Sequence, residues 1–506
     1  MSYVAKLPFS LPKLPVNGAA PRPLGTHAMA DKMLQFVRLA QQTPDKREAA
    51  ARRTDFNEIY SRFEPARAAE QASRCSQCGV PFCQVHCPLQ NNIPDWLKLT
   101  AEGRMEEAYE VAASTNTFPE ICGRVCPQDR LCEGNCVIEK GFESVTIGSV
   151  EKYIVETAFE NGWVKPPRPR VELSQSVAII GAGPAGLAAA ERLRVRGYQV
   201  HVYDRYDRVG GLMIYGIPNF KLEKDVVLRR WKHYAEGGIQ FHLNMEVGRD
   251  ITLEQLREQH DAVFIATGVY KARDVAIPGA ELPGVVPALD YLTASNRDNL
   301  GDRVPAFEDG SLNAAGKHVV VIGGGDTAMD CVRTAVRQGA ASVACLYRRD
   351  KANMPGSMRE VNNAEEEGVR FVWLSAPEAF EGAAALTGVR ATRMHLGLPD
   401  ATGRQQVEPI AGSSFVQKAD LAIKALGFDP EDLPRAFGEA ALAVTRWGTL
   451  KVDHKSMMTA LPGVFAGGDI VRGASLVVWG IRDGRDAAEQ MHIYMQQKAV
   501  IGVAAE

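Results

Sequence analysis

Eight of the ten cysteines of this 506-residue chain lie in two blocks of four between residues 75 and 136. The first block comprises Cys75, Cys78, Cys83 and Cys87, and the second comprises Cys122, Cys126, Cys132 and Cys136. Thiolates at such short intervals, followed by Pro88 and Pro127, are typical of iron–sulfur clusters, whose iron atoms each take one soft ligand from the protein. The pattern therefore predicts an N-terminal region that folds around clusters.

Structural zinc is the competing interpretation, because CxxC pairs often hold that metal. Only Cys75 and Cys78 form such a pair, and the remaining gaps within the blocks are four, three, three, five and three residues. This spacing favours iron–sulfur clusters over zinc. Cys331 and Cys345 fall in a later helix and strand pattern and are predicted to be small buried apolar residues.

Composition gives little indication of a charged partner. With 58 basic and 61 acidic residues, neither a nucleic-acid nor a membrane surface is indicated. No apolar run reaches the length of a membrane span, and the proline-rich start does not resemble a signal peptide. We therefore expect a cytoplasmic protein whose clustered thiols stay reduced, with its first 40 or so residues lying over the surface.

After a proline-rich linker at residues 165–170, short strands alternate with helices. Two strand–glycine turn–helix–strand units begin at Ser176 and Lys317. They predict an α/β fold with two doubly wound (Rossmann-like) nucleotide-binding domains, the second inserted in the first, preceded by an α-helical iron–sulfur domain. The expected boundaries are 1–170 for the helical domain with its linker, 171–295 and 446–506 for the first nucleotide domain, and 296–445 for the second.

The first glycine turn, GAGPAG, is predicted to bind the diphosphate of FAD. Gly181 permits the tight turn, Gly183 lets the backbone approach the diphosphate, and Gly186 allows close packing of helix on strand. Asp204, at the end of the next strand, is expected to accept the ribose hydroxyls. The other predicted FAD-binding residues are Pro184, Ala185, Gly211, Leu212, Thr267, Gly268, Gly468 and Asp469. For Gly468 and Asp469 the role is implied by resemblance to flavoprotein reductases, in which a late Asp reaches the ribityl and phosphate region.

The second glycine turn, GGGDTA, is predicted to bind NADPH through Gly323, Gly325, Asp326 and Thr327. An NAD site would carry an acidic residue at the end of the following strand, where this chain has Arg348 and Arg349. Guanidinium groups there suit the 2′-phosphate of NADPH. A pair of solvated surface arginines is the alternative interpretation.

These motifs, in this order from about residue 55 to the end, resemble the small-subunit family of bacterial NADPH-dependent glutamate synthase. The same module occurs in dihydropyrimidine dehydrogenase and related oxidoreductases. The resemblance implies hydride transfer from NADPH to FAD, then single electrons through two 4Fe-4S clusters. The acceptor would be a large subunit that carries FMN and a glutamine amidotransferase and makes glutamate from glutamine and 2-oxoglutarate. No side chain is predicted to act as a catalytic acid or base.

Cluster ligation is implied only by resemblance to the dehydrogenase. Cys75, Cys78, Cys83 and distant Cys136 would bind one cluster, and Cys87, Cys126 and Cys132 the other. Glu151 matches the dehydrogenase's last ligand, a glutamine, and Cys122 is the alternative. Two other functions stay open: the same module with another acceptor (ferredoxin, a sulfur compound or a pyrimidine-reducing partner), and a scaffold subunit without chemistry. Intact glycine turns and cysteines argue against the scaffold.

Overall fold

The computed structural model describes residues 33–400 and 405–505 of the chain. The surface course expected for the N-terminal segment therefore lies, for residues 1–32, outside the described residues. Within the described ranges, no helix combines the length and the apolar character that crossing a membrane requires.

The N-terminal unit is helical, with 3-10 turns at Gln35–Val37 and Gln128–Arg130. Its helices are α1 (Ala49–Arg52), α2 (Pro65–Ser73), α3 (Phe82–Val85), α4 (Ile93–Ala101), α5 (Met105–Thr115), α6 (Pro119–Val125), α7 (Glu139–Phe142) and α8 (Ile147–Glu160). Pro65, Pro94 and Pro119 stand in the first turns of their helices, where the missing N–H removes no helical bond. Helix α8 buries Val150 and Ile154 against the other helices of the unit.

Sixteen strands are described after the linker. They are β1 (Ser176–Ile180), β2 (Gln199–Asp204), β3 (Gln240–Leu243), β4 (Ala262–Ile265), β5 (Lys271–Ala272), β6 (Val285–Pro287), β7 (His318–Ile322), β8 (Ser342–Leu346), β9 (Arg370–Val372), β10 (Ser375–Glu381), β11 (Gly388–Pro399), β12 (Gln405–Pro409), β13 (Phe415–Lys418), β14 (Leu421–Lys424), β15 (Phe428–Asp429) and β16 (Val464–Ala466).

Eleven helices are described among and after these strands. They are α9 (Pro184–Val195), α10 (Leu212–Tyr215), α11 (Lys224–Glu236), α12 (Leu253–Gln259), α13 (Ala288–Asn299), α14 (Pro305–Glu308), α15 (Asp326–Arg337), α16 (Met358–Glu366), α17 (Leu433–Ala436), α18 (Asp469–Arg472) and α19 (Val477–Ala505). The short α18 directly follows the late Gly-Gly motif, and the long α19 begins after a further loop.

Two parallel five-stranded sheets organise this part of the chain. The first has the order β16-β4-β1-β2-β3, and the second has the order β6-β14-β7-β8-β9. The central strands β1 and β7 are almost entirely buried, as parallel strands covered by helices on both faces must be. An antiparallel sheet of β10 to β13 extends the second unit. The predicted α/β class, with two parallel sheets after a helical region, is confirmed.

The predicted boundaries at residues 295 and 446 stay predictions, and strand pairing favours different ones. Val285–Pro287 already pairs in the second sheet, whereas Leu433 and Leu450 pack with Ile180 of the first. Strand β5, which comes before Val285 in the sequence, pairs with β15, which comes before Leu433, and the two form a short antiparallel ribbon. We propose that the chain leaves and re-enters the first nucleotide domain through this ribbon.

Candidate cofactor sites

The structure sorts the eight clustered cysteines into two groups. The first thiol set is Cys75, Cys78, Cys83 and Cys136, which line one cavity. The second thiol set is Cys87, Cys122, Cys126 and Cys132, which line another cavity together with Glu151. Each block therefore contributes one cysteine to the neighbourhood of the other.

Both cavities have donors and surroundings suited to an iron–sulfur cluster. Burial raises the pKa of the Cys83 thiol to about 12 and that of Cys87 to about 11. Thiolates at such sites need a bound cation to offset their charge, and iron would supply it. Backbone N–H groups already point at the sulfurs, as in the 3.4 Å bond that Gln77 donates to Cys75. Within residues 33–400 and 405–505, no three His, Cys, Asp or Glu side chains converge as ligands of a single metal ion.

Glu151 is held at the second cavity by two amides. Asn91 and Asn116 donate hydrogen bonds of 3.0 and 2.9 Å to the same carboxylate oxygen, Oε1. Burial raises the pKa of Glu151 to about 8, against these two bonds, which lower it. The Cys122 thiol instead donates to Asn116 Oδ1 at 3.7 Å. Glu151 and Cys122 thus share one amide partner, Asn116, which the sequence pattern did not identify.

The first glycine turn has the shape of a diphosphate cradle. Gly181 has a φ of 109°, and a Cβ there would lie 2.4 Å from the carbonyl oxygen of Ala266. A Cβ on Gly186 would lie 1.9 Å from the carbonyl oxygen of Gly181. A Cβ on Gly183 would meet nothing within 4 Å. Two of the glycines are therefore required by the protein itself, whereas Gly183 leaves open space for a ligand.

Polar groups from three loops meet at this cradle. Asp204 is buried at the end of β2, and its carboxylate accepts the Ala182 N–H at 2.6 Å. Burial raises the pKa of both Asp204 and Asp469. Thr267 Oγ1 is buried without a hydrogen-bond partner, so it is available to a bound ligand.

The remaining predicted FAD residues surround the same turn. Pro184 and Ala185 form the first turn of α9, and a Cβ on Gly468 would lie 2.9 Å from the Ala185 side chain. A Cβ on Gly211, which precedes Leu212, would lie 3.0 Å from Gly183 Cα. Gly268 follows Thr267 at the end of β4. Sequence reasoning missed Asp483, which accepts the Gly468 N–H at 3.1 Å.

The second glycine turn repeats this geometry at the start of α15. Gly323 has a φ of 147°, and a Cβ there would lie 2.3 Å from the Ala425 carbonyl oxygen. A Cβ on Gly325 would again meet nothing within 4 Å. Asp326 and Thr327 form the first turn of the helix. The turn is therefore open where a dinucleotide diphosphate would approach.

The two arginines after β8 differ in their surroundings. Arg348 is exposed, whereas Arg349 is half-buried and donates a 3.4 Å bond to the Gln405 carbonyl oxygen. Cys331 and Cys345 are buried in α15 and β8, as expected for small apolar residues. Arg348 is thus the more accessible cation for a nucleotide phosphate.

Two dinucleotide cradles joined to a helical unit with two thiol-lined cavities define a pyridine-nucleotide oxidoreductase with an iron–sulfur domain. The family profile described as dihydropyrimidine dehydrogenase domain II, 4Fe-4S cluster, matches residues 52–163. The profile described as pyridine nucleotide-disulphide oxidoreductase matches residues 175–489.

Curated relatives identify the family. The chain is 69% identical over 478 residues to a glutamate synthase [NADPH] small chain of Azospirillum brasilense, covering 94% of this chain and 99% of the relative. It is 46% identical to the small chain of Escherichia coli, covering 91% of this chain and 98% of the relative. The chain belongs to the glutamate synthase [NADPH] small-chain family and is an NADPH-dependent oxidoreductase.

Two further comparisons concern a longer relative and the fold. The putative oxidoreductase AegA of Escherichia coli is 46% identical, with the match covering 91% of this chain and 71% of AegA. The structure of Mycobacterium tuberculosis FprA in complex with NADPH superposes with a TM-score of 0.55 at 20% identity, over 66% of this chain and 86% of FprA. This last likeness concerns the fold alone.

Proposed function

We propose that this chain is the electron-input subunit of glutamate synthase. It would oxidise NADPH and deliver electrons to an FMN-containing large subunit, which makes L-glutamate from L-glutamine and 2-oxoglutarate. When bound, FAD accepts hydride from NADPH and the 4Fe-4S clusters carry single electrons. The observation that carries the proposal is the position of the two thiol sets, between the flavin cradle and an exposed apolar surface.

The second thiol set lies on the flavin side. Cys122 and Cys126 belong to the same buried core as Val177 and Leu187 of the first nucleotide domain. Val478, in the first turn of α19, lines the second cavity itself. We propose that this set, together with Glu151, binds the first cluster to receive electrons from the flavin.

The first thiol set lies beneath the surface of the helical unit. Phe82 and Val137 line its cavity and are nevertheless 47% and 55% exposed. Val80 and Val85 beside them are 62% and 59% exposed. Large apolar side chains so exposed are typical of protein–protein contact surfaces. We propose that the large subunit covers these four residues, which brings its acceptor close to the first set.

Within this proposal Glu151 is the eighth cluster ligand. Both amide bonds fall on Oε1, so they fix the orientation of the carboxylate, and Oε2 would be the oxygen that binds iron. The Asn91 and Asn116 amides also favour the ionised form that a ligand needs. The Cys122 thiol donates a hydrogen bond to Asn116, so in this proposal it stays protonated beside the cluster and does not bind iron.

Replacement of Arg348 and Arg349 by serine tests the choice of nucleotide. We expect the double variant to raise KM for NADPH about 100-fold, because charge-assisted bonds to the 2′-phosphate are lost. Arg348→Ser alone is expected to cause most of this change, since Arg349 already donates to Gln405. Initial rates of dye reduction with NADPH and with NADH provide the measurement. Equal changes with both nucleotides would contradict the assignment.

The same module with a different acceptor is the second candidate function. It is favoured by the length of AegA, which carries a similar chain within a longer oxidoreductase. The exposed apolar surface over the first thiol set would then contact another protein or domain. The residues that receive electrons from NADPH would be unchanged.

Affinity purification of the full chain from its native cell, under anaerobic conditions, tests the function. We expect FAD, iron and acid-labile sulfide in the protein, NADPH-dependent dye reduction, and an FMN-containing large subunit bound to it. The complex should form glutamate from glutamine and 2-oxoglutarate only when NADPH is supplied. Active dye reduction with a different bound acceptor would select the second candidate, and zinc without sulfide would reject both.

A further inference from the structure

The short turn between Cys126 and Cys132 crosses to the second nucleotide domain. Asp129, in this turn, accepts hydrogen bonds from Ser357 Oγ at 3.2 Å and from the Met358 N–H at 3.3 Å. These partners lie at the start of α16, next to the segment that covers the second glycine turn. The cluster-binding unit and the nucleotide cradle are therefore in direct contact.

Arg130, the next residue of the turn, reaches the cradle itself. Its guanidinium donates to the Pro355 carbonyl oxygen and lies 3.3 Å from the Asp326 carboxylate. Asp326 is the first residue of α15, beside Gly325, where the cradle is open to a ligand. The side chains of Arg130 and Asp326 are 43% and 34% exposed, so both can be approached from solvent.

The Asp326 carboxylate places a negative charge where the diphosphate of the nucleotide would bind. Its second oxygen is held by the Ser357 N–H at 2.9 Å, which fixes the negative charge at the mouth of the cradle. A dinucleotide diphosphate arriving there would be repelled by this charge. The Arg130 guanidinium offsets it, and a guanidinium has five donors, more than Pro355 and Asp326 use.

We propose that Arg130 is a binding residue for the diphosphate of NADPH, supplied by the iron–sulfur domain. The inference rests on the proposed nucleotide role of the second glycine turn. Arg130 pairs with Asp326 in the free protein and adds phosphate oxygens as partners in the complex. The nucleotide site is thus completed by a residue of the second cysteine block, which lies between Cys126 and Cys132.

Binding of NADP+ to the flavin- and cluster-loaded protein, measured by calorimetry, tests this role without turnover. We expect Arg130→Gln to raise the Kd for NADP+ about tenfold, the effect of losing charge-assisted hydrogen bonds. Arg130→Lys, which keeps the positive charge, should raise the Kd less than Arg130→Gln does. Arg104→Gln is the matched control, since Arg104 is a similarly exposed arginine of the same unit that pairs with Glu107. A second probe, 2′-AMP, lacks the diphosphate and should bind wild type and Arg130→Gln alike.

Several outcomes would overturn the proposal. They are an Arg130→Gln Kd within about twofold of wild type, a Kd raised as much by the Arg104→Gln control, or equal losses for NADP+ and 2′-AMP. Should Arg130→Gln lose flavin or iron, the charge-retaining Arg130→Lys decides. Near-normal NADP+ binding by Arg130→Lys supports the role, and an equal weakening of NADP+ and 2′-AMP binding overturns it. Wild-type protein that binds no NADP+ would reject the nucleotide site itself, a different failure.

Discussion

A chain in which Cys132 is replaced by serine is expected to accept electrons from NADPH and to fail in delivering them. Cys132 lines the second cavity, which we propose lies on the electron path between the flavin cradle and the first thiol set. Loss of a ligand thiolate should remove or disable that cluster and lower NADPH-dependent glutamate formation more than about 100-fold. Bleaching of the flavin absorbance by NADPH should persist, because the nucleotide cradles are untouched. Iron and sulfide contents would fall to about half if each thiol set holds one 4Fe-4S cluster.

Cys122→Ser is the matched control, because Cys122 lines the same cavity but its thiol donates a hydrogen bond to Asn116. We expect Cys122→Ser to keep its full iron content and the wild-type rate of NADPH-dependent glutamate formation. Glu151→Ala, in contrast, should alter the electron paramagnetic resonance spectrum of one cluster alone. The reverse pattern, with Cys122→Ser losing a cluster and Glu151→Ala keeping both, would make Cys122 the ligand. If Cys132→Ser still supported glutamate formation at the wild-type rate, the second thiol set would not be on the electron path.

Alanine at Gly186 is expected to destabilise the first nucleotide domain, whereas alanine at Gly183 is expected to weaken FAD binding without destabilising the domain. The Gly186 Cβ would overlap the Gly181 carbonyl oxygen at 1.9 Å, between β1 and the tightly packed α9. Relief requires a backbone shift, for which we expect a loss of about 3 kcal/mol in the free energy of unfolding. Thermal unfolding of the purified variant provides the measurement.

Gly183→Ala adds the same methyl group where the protein leaves space. We expect normal folding but at least about tenfold weaker FAD binding, because the added methyl keeps backbone N–H groups from the diphosphate. The ratio of FAD to protein after gel filtration reports this loss. Equal thermal stability of the two variants would contradict the packing argument, and full FAD content in Gly183→Ala would contradict the cradle.

The features that could be predicted from the sequence are those set by short-range constraints. Gly186 is needed because a Cβ there would meet atoms of Gly181 and Ile179, only a few residues away, and Gly181 adopts a φ of 109° within the same turn. The alternation of buried strands with helices after residue 170 follows from local apolar patterning in the same way. Such signals are visible along the chain because the neighbours that cause them are also neighbours in sequence.

Contacts between distant charged residues could not be predicted in this way. Arg52 is buried in an ion pair with Glu367 at 3.2 Å, and Glu367 also pairs with Arg333. In the sequence each of these residues looks like an ordinary solvated charge, since only long-range packing removes water from them. The bond from Arg349 to Gln405 and the reach of Arg130 to Asp326 escape prediction for the same reason.

One strand of the first sheet, β16, comes much later in the sequence than the other four. Val464–Ala466 pairs with Ala262–Ile265, whereas the second sheet is complete once Leu421–Lys424 has been synthesised. On the ribosome, the inserted domain can therefore fold while its host still presents an unpaired edge at β4. We expect flavin capture to wait until Val464–Ala466 has been synthesised, which makes cofactor supply a matter of timing as well as affinity.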